Sequence, residues 1–163
     1  MNYLNILDCD IADGYGIRVA LFVSGCSCHC KGCHSQFSWD PHAGKLFTED
    51  TKNKLFQLLD REYIDGITFS GGHPLEEYNI STITSLCKEI KNKFPQKTIW
   101  VYTGFVYEQI QNLEIMDYID VLVDGPFIQE LRDITLAWRG SSNQRVIDIK
   151  KTKRSGQLCL LDE

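Results

Sequence analysis

The chain has 163 residues, 43% of them hydrophobic and 24% charged, with a formal net charge of -5. That is the size and make-up of one globular domain with its own core, which sets aside a disordered or fibrous chain. An acidic balance gives no electrostatic reason to expect nucleic acid or an anionic membrane as partner, and no apolar run approaches the ~20 residues that a bilayer crossing needs.

Met1-Asn2-Tyr3-Leu4-Asn5 has neither a basic nor an apolar leader, so a cytoplasmic location is expected. Residues 19–23 read as the first strand and end in Ser24-Gly25-Cys26. A helix begins near Thr48, a suitable N-cap, and carries Leu55, Phe56, Leu58 and Leu59. A second strand, 67–69, ends in Ser70-Gly71-Gly72. The clearest helix follows, with Ile80, Ile83, Leu86, Cys87, Ile90 and Phe94 on one face and Lys88, Glu89, Lys91 and Lys93 on the other. A strand over 99–102 ends in Thr103-Gly104, a third helix covers roughly 107–116, and a last strand spans 121–123. The strands are nearly continuous in hydrophobicity, which suits a parallel sheet covered on both faces.

Strand and helix in alternation give an α/β domain with a mainly parallel sheet. A full eight-unit barrel needs ~250 residues, so the alternatives are a partial barrel or an open doubly wound sheet. In both, ligands gather at the carboxyl ends of the strands. Residues 1–147 are expected to form the domain, followed by a polar, basic tail over 148–163 that contributes little to the core.

Seven cysteines without a secretion signal point to metal or redox chemistry, and four of them lie within Cys26-Ser27-Cys28-His29-Cys30-Lys31-Gly32-Cys33. The CxxxCxxC spacing of Cys26, Cys30 and Cys33 lets three thiolates converge on one small inorganic centre. Three thiolates on a four-iron cluster leave one iron open, as in a catalytic rather than a closed structural metal site. The spacing also permits a zinc knuckle with Cys28 or His34 as fourth ligand.

These motifs resemble those of the radical S-adenosylmethionine enzymes, and the flanking sequence is similar to the activating proteins of anaerobic ribonucleoside-triphosphate reductase. The resemblance is carried by Asp13-Gly14-Tyr15-Gly16-Ile17-Arg18, Leu21-Phe22-Val23-Ser24-Gly25-Cys26, Ser70-Gly71-Gly72-His73-Pro74-Leu75, Ile99-Trp100-Val101-Tyr102-Thr103-Gly104, Val121-Leu122-Val123-Asp124-Gly125 and Trp138-Arg139-Gly140-Ser141-Ser142-Asn143-Gln144-Arg145. It runs from Met1 to about Arg145. It implies an incomplete β/α barrel of the radical type and a 4Fe-4S cluster held by Cys26, Cys30 and Cys33. It further implies reductive cleavage of S-adenosyl-L-methionine to a 5'-deoxyadenosyl radical, which generates a glycyl radical on the reductase. A reduced flavodoxin-like protein would donate the electron. Gly32, Cys33 and His34 would lie beside the nucleotide, Gly71, Gly72 and His73 beside the methionine amino group, with Thr103 at the next strand end.

The chain departs from the family pattern at His73, where an acidic residue is usual, at His34, where Tyr or Phe is usual, and at Tyr15, where Pro is usual. Beside a positive sulfonium a carboxylate is electrostatically favoured, so His73 is the departure expected to matter most. Two other functions fit the cysteines: a radical enzyme acting on a small molecule, and a non-catalytic zinc or iron-sulfur module.

Overall fold

The strands expected to be covered on both faces stand side by side in the computed structural model, which describes residues 1–161. In chain order the elements are β1 (Asn2–Asp10), β2 (Arg18–Val23), β3 (Lys45–Leu46), α1 (Glu49–Leu59), β4 (Gly66–Gly71), α2 (Glu77–Lys93), β5 (Thr98–Tyr102), α3 (Tyr107–Ile110), β6 (Val121–Asp124), β7 (Arg145–Asp148) and α4 (Ile149–Ser155). They build an α/β fold on one mixed sheet ordered β3-β1-β2-β4-β5-β6-β7. The four central strands run parallel, from Val19 beside Ile67 to Tyr102 beside Val123. The flanks are antiparallel, β1 on β2 and β7 on β6. The sequence reading found the parallel strands and missed both flanks.

Local chemistry accounts for the helices. Thr48 caps α1 by accepting the Thr51 N–H at 3.3 Å, with Glu49 and Asp50 in the first turn where the helix dipole favours negative charge. Leu55 and Leu59 of α1 and Ile83, Leu86, Cys87 and Ile90 of α2 are buried against the sheet. The helix expected over 107–116 is broken: α3 ends at Ile110, Leu113 takes extended backbone (ψ 142), and a 3-10 turn follows over Glu114–Asp117.

Arg18 opens β2 with its side chain wholly buried. Its guanidinium donates to Thr68 Oγ1 (2.7 Å), the Tyr15 carbonyl (3.0 Å), Thr98 Oγ1 (2.9 Å), the Ile67 carbonyl (2.7 Å) and the Thr98 carbonyl (3.1 Å). It also sits over the Trp100 ring at 5.3 Å. One side chain thereby ties the Asp13–Arg18 turn to β4 and β5.

Beyond Asp148, residues that a polar composition marks as a tail add to the sheet. Asp148 caps α4 by accepting the Lys151 N–H at 2.8 Å, Ile149 and Thr152 are buried, and Lys150 pairs with Asp120 at 2.5 Å. Leu160 then bridges Ile147, and the Leu161 N–H reaches the Val146 carbonyl at 2.8 Å. One apolar side chain, Ile149, with a threonine three residues on is too weak a signal against four basic neighbours, which is why composition alone suggested a tail. Deleting residues 149–163 is expected to cost about 3 kcal/mol, since burying one Ile is worth about 2 kcal/mol and the deletion also uncovers Val146 and Ile147. A urea titration of the truncated chain checks this; an unchanged midpoint would show that α4 only decorates the surface.

Candidate metal centre

Strands β2, β4 and β5 end on one side of the sheet, and the cysteine loop starts there. Gly25 turns the chain out of β2 in the left-handed region (φ 90), where a Cβ would also strike the Tyr78 ring at 2.4 Å. The loop is then pinned from outside, with the Gly25 N–H donating to the Ser38 carbonyl (2.7 Å) and the Cys26 N–H to the Trp39 carbonyl (3.1 Å). A second turn closes where the Cys33 N–H meets the Cys30 carbonyl at 3.1 Å, with Gly32 at φ 72 inside it.

Cys26, Cys28, Cys30 and Cys33 are all free and half-buried. A hydrogen bond from the Cys28 thiol pulls Cys26 down to about 6, the same contact and burial push Cys28 up, and burial raises Cys30. Among the described residues, the group of ligand atoms close enough for a single ion is Cys26, Cys28 and His73, all within 4.8 Å. Cys30 and Cys33 stand outside it. A four-iron cluster carries its thiolates on separate irons and needs them farther apart than the donors of one ion, so this spread suits a cluster better than a zinc knuckle. His73 is also poorly placed to ligate, because both ring nitrogens are engaged.

That engagement explains the histidine. His73 is 1% exposed, with Nδ1 3.0 Å from Glu76 Oε1 and Nε2 2.7 Å from Thr103 Oγ1. The Gly104 N–H, which can only donate, points at Nε2 at 3.3 Å, and this assigns the proton to Nδ1. Glu76 Oε1 also accepts the Ser27 N–H and hydroxyl, both at 2.7 Å. A polar chain therefore runs from Ser27, inside the cysteine loop, through Glu76 and His73 to the end of β5. Asn79 braces it, donating to the Ser24 and His73 carbonyls at 2.9 and 3.1 Å. The side chain expected beside a sulfonium is instead turned inward.

Burial pushes the His73 pKa below its ordinary 6.5, with Glu76 offsetting part of the shift. Below pH 6.5 the unfolded chain binds a proton here that the folded chain refuses. Stability is therefore full above that pH and falls with acidification toward the folded value, by at most about 1.4 kcal/mol per pH unit. A His73→Gln variant is expected to lack this component in denaturation at about pH 7.5 and 5.5; parallel losses in both proteins would remove it. His73→Asp is expected to cost about 2 kcal/mol at neutral pH, because it sets a second carboxylate beside Glu76.

The open side of the loop borders a cavity of about 800 Å³. Gly32, Cys33, His34 and Gly71 line it; Cys26, Cys30, Gly72, His73 and Thr103 are not part of its lining. The Gly72 and His73 N–H groups are taken by the Val23 carbonyl (2.8 Å) and the Gly25 carbonyl (2.7 Å), so the strand end has carbonyl oxygens, not N–H groups, to offer a ligand. The opposite wall includes Asp13, Tyr102, Trp138 and Arg139. Burial, aided by Asp10, pushes the Asp13 carboxyl up to about 6. The polar 138–145 stretch is locked in place by Gln144, whose Oε1 accepts the Gly140 N–H (2.9 Å) and whose amide donates to the Gly125 carbonyl (3.1 Å). Arg145 is bound to Asp124 and to Glu108 (2.8 Å), so it serves this wall as a strut. Sequence reasoning missed Glu76 and Ser27: Glu76 has one local signal, the His-x-x-Glu spacing just before α2, and Ser27 has none.

Comparison with known proteins agrees with this geometry. Residues 12–147 match the family of 4Fe-4S single cluster domains. The chain is 43% identical over 146 residues to a protein of Enterobacteria phage T4, covering 90% of this chain and 93% of that one. It is 43% identical over 148 residues to one of Haemophilus influenzae (88% and 96%) and 41% over 150 residues to one of Escherichia coli (90% and 97%). All three are named anaerobic ribonucleoside-triphosphate reductase-activating protein. A cysteine loop at the strand ends of an α/β sheet, a match to a 4Fe-4S domain and similarity over most of the chain place this protein in the family of anaerobic ribonucleoside-triphosphate reductase-activating proteins.

Proposed function

We propose that the chain is a radical S-adenosyl-L-methionine enzyme that generates a glycyl radical on an anaerobic ribonucleoside-triphosphate reductase. The observation that carries this reading is the meeting of the cysteine loop and the β4 end at one cavity large enough for a nucleoside ligand, about 800 Å³. Cys26, Cys30 and Cys33 hold a 4Fe-4S cluster, for which a half-buried, thiol-rich loop is a fitting donor set. When bound, the cluster supplies the electron for reductive cleavage of S-adenosyl-L-methionine to the 5'-deoxyadenosyl radical. The parallel strands β2, β4, β5 and β6 form the part of an incomplete β/α barrel that presents these loops.

The chain's own residues bind and exclude water. The carbonyl oxygen at Gly71 accepts the methionine amino group, with Gly72 supporting that strand end from outside the lining, and Gly32 to His34 flank the nucleotide. His73 and Thr103 act from behind, fixing the backbone that does the binding. Residues 1–147 carry this chemistry, in the cytoplasm, with a reduced flavodoxin-like donor. Among the described residues no helix is long and apolar enough to cross a membrane. Anaerobic reconstitution tests the reading: with a strong reductant the chain is expected to form methionine and 5'-deoxyadenosine, and with the reductase an organic radical signal at a glycine. Cleavage without radical transfer would move the substrate to a small molecule, and a tightly held zinc with no cleavage would overturn the assignment.

A further inference from the structure

Cys28 is the thiol that the cluster assignment leaves over. Its sulfur and that of Cys26 belong to one group of ligand atoms within 4.8 Å, which neither Cys30 nor Cys33 joins. Both thiols are half-buried and free. Between them Ser27 is anchored twice to Glu76, and the Cys26 N–H is fixed to Trp39, so the loop holds the two sulfurs toward each other. The third member, His73, is committed to Glu76 and Thr103. Cys28 also packs on the inner side, where a Cβ at Gly104 would lie 2.5 Å from its sulfur, and it is absent from the cavity wall. Two thiols held this way, without a third free donor, are placed for a bond to each other.

We propose that Cys26 and Cys28 are a thiol-disulfide pair that closes when the chain is without its cluster and meets a disulfide oxidant such as glutathione disulfide. The Cys26 sulfur attacks the oxidant, whose S–S bond breaks and releases one glutathione. Cys28 gives its proton to solvent, attacks the Cys26 sulfur and expels the second glutathione. Two protein thiols are oxidised and one glutathione disulfide is reduced to two thiols, so the step balances; excess dithiol reverses it. The consequence rests on Cys26 as a cluster ligand: closure withdraws that ligand and shelters it from irreversible oxidation to sulfinic acid. The bond itself does not rest on that reading.

The test uses the full chain, stripped of cluster anaerobically with a chelator, treated with glutathione disulfide, alkylated and digested with trypsin. Cleavage after Arg18, Lys31 and Lys45 puts Cys26, Cys28 and Cys30 on residues 19–31 and Cys33 on residues 32–45. The expected product is peptide 19–31 lacking two hydrogens and alkylated at Cys30 alone. A glutathione adduct persisting on Cys26, or a link joining the two peptides, would overturn the pair. Cys28→Ser should keep that adduct, reconstitute normally when fresh, and after air exposure and re-reduction recover at least about threefold less cluster than the parent. Equal recovery would remove the protective role. If the bond forms but neither protein takes up cluster, the ligand reading fails and the pair stands.

Discussion

Cys26→Ala, Cys30→Ala and Cys33→Ala are each expected to lower cleavage of S-adenosyl-L-methionine by at least about 100-fold, equivalent to about 2.7 kcal/mol in the barrier. Removing one of three thiolates leaves a two-point site that cannot fix a cluster in place, so iron content and the visible absorption should fall together with activity. Cys28→Ser is expected to retain both in freshly reconstituted protein, because its sulfur packs toward Gly104 and the change leaves all three thiols of the CxxxCxxC spacing in place. Iron analysis of the four anaerobically reconstituted variants decides the matter. Loss of cluster in Cys28→Ser with retention in Cys30→Ala would transfer the ligand role to Cys28.

Arg18→Leu is expected to cost about 4 kcal/mol of folding stability, the largest effect of any single change away from the cysteines. Burial lowers the Arg18 pKa to about 10, with Asp120 among the groups that offset it, so the group remains cationic at neutral pH. Its charge is met by carbonyl and hydroxyl oxygens, and leucine would strand the carbonyls of Tyr15, Ile67 and Thr98. Arg18→Lys restores the charge but not the planar fork, and is expected to recover less than half of the loss. Urea midpoints of the three proteins test this ordering. A lysine variant as stable as the parent would mean that charge alone, and not the fork, matters at this position.

The four central strands and the two long helices were legible because burial on both faces leaves an unbroken apolar run and a solvent-facing helix leaves a 3.6-residue period. Strand β1 was not. Its Asn5, Asp8 and Cys9 interrupt the apolar pattern, since most of its length is exposed or half-exposed. β7 offers only Val146 and Ile147, and its place is set by pairing with β6. At the site, spacing marked Cys26, Cys30 and Cys33 as candidate ligands and left Cys28 and His34 open as a fourth; the resemblance, not the spacing, narrowed the set. The inward turn of His73 depends on partners at positions 76 and 103, and no local pattern announces that contact. Arg18 was visible only as a motif letter, because its acceptors come from three separate segments.

The strand order also bears on how the chain is made. Apart from the short β3, each strand from β2 onward pairs with the strand synthesised just before it: β4 on β2, β5 on β4, β6 on β5 and β7 on β6. A nascent chain can therefore extend its sheet in the direction of translation, without holding an early strand open for a late partner. Among the described residues the last addition is β7 with α4, and β7 covers the edge of β6 that is otherwise free. A chain truncated just after Gly125 and released would expose that apolar edge, and would make it the place where the interrupted chain associates with others.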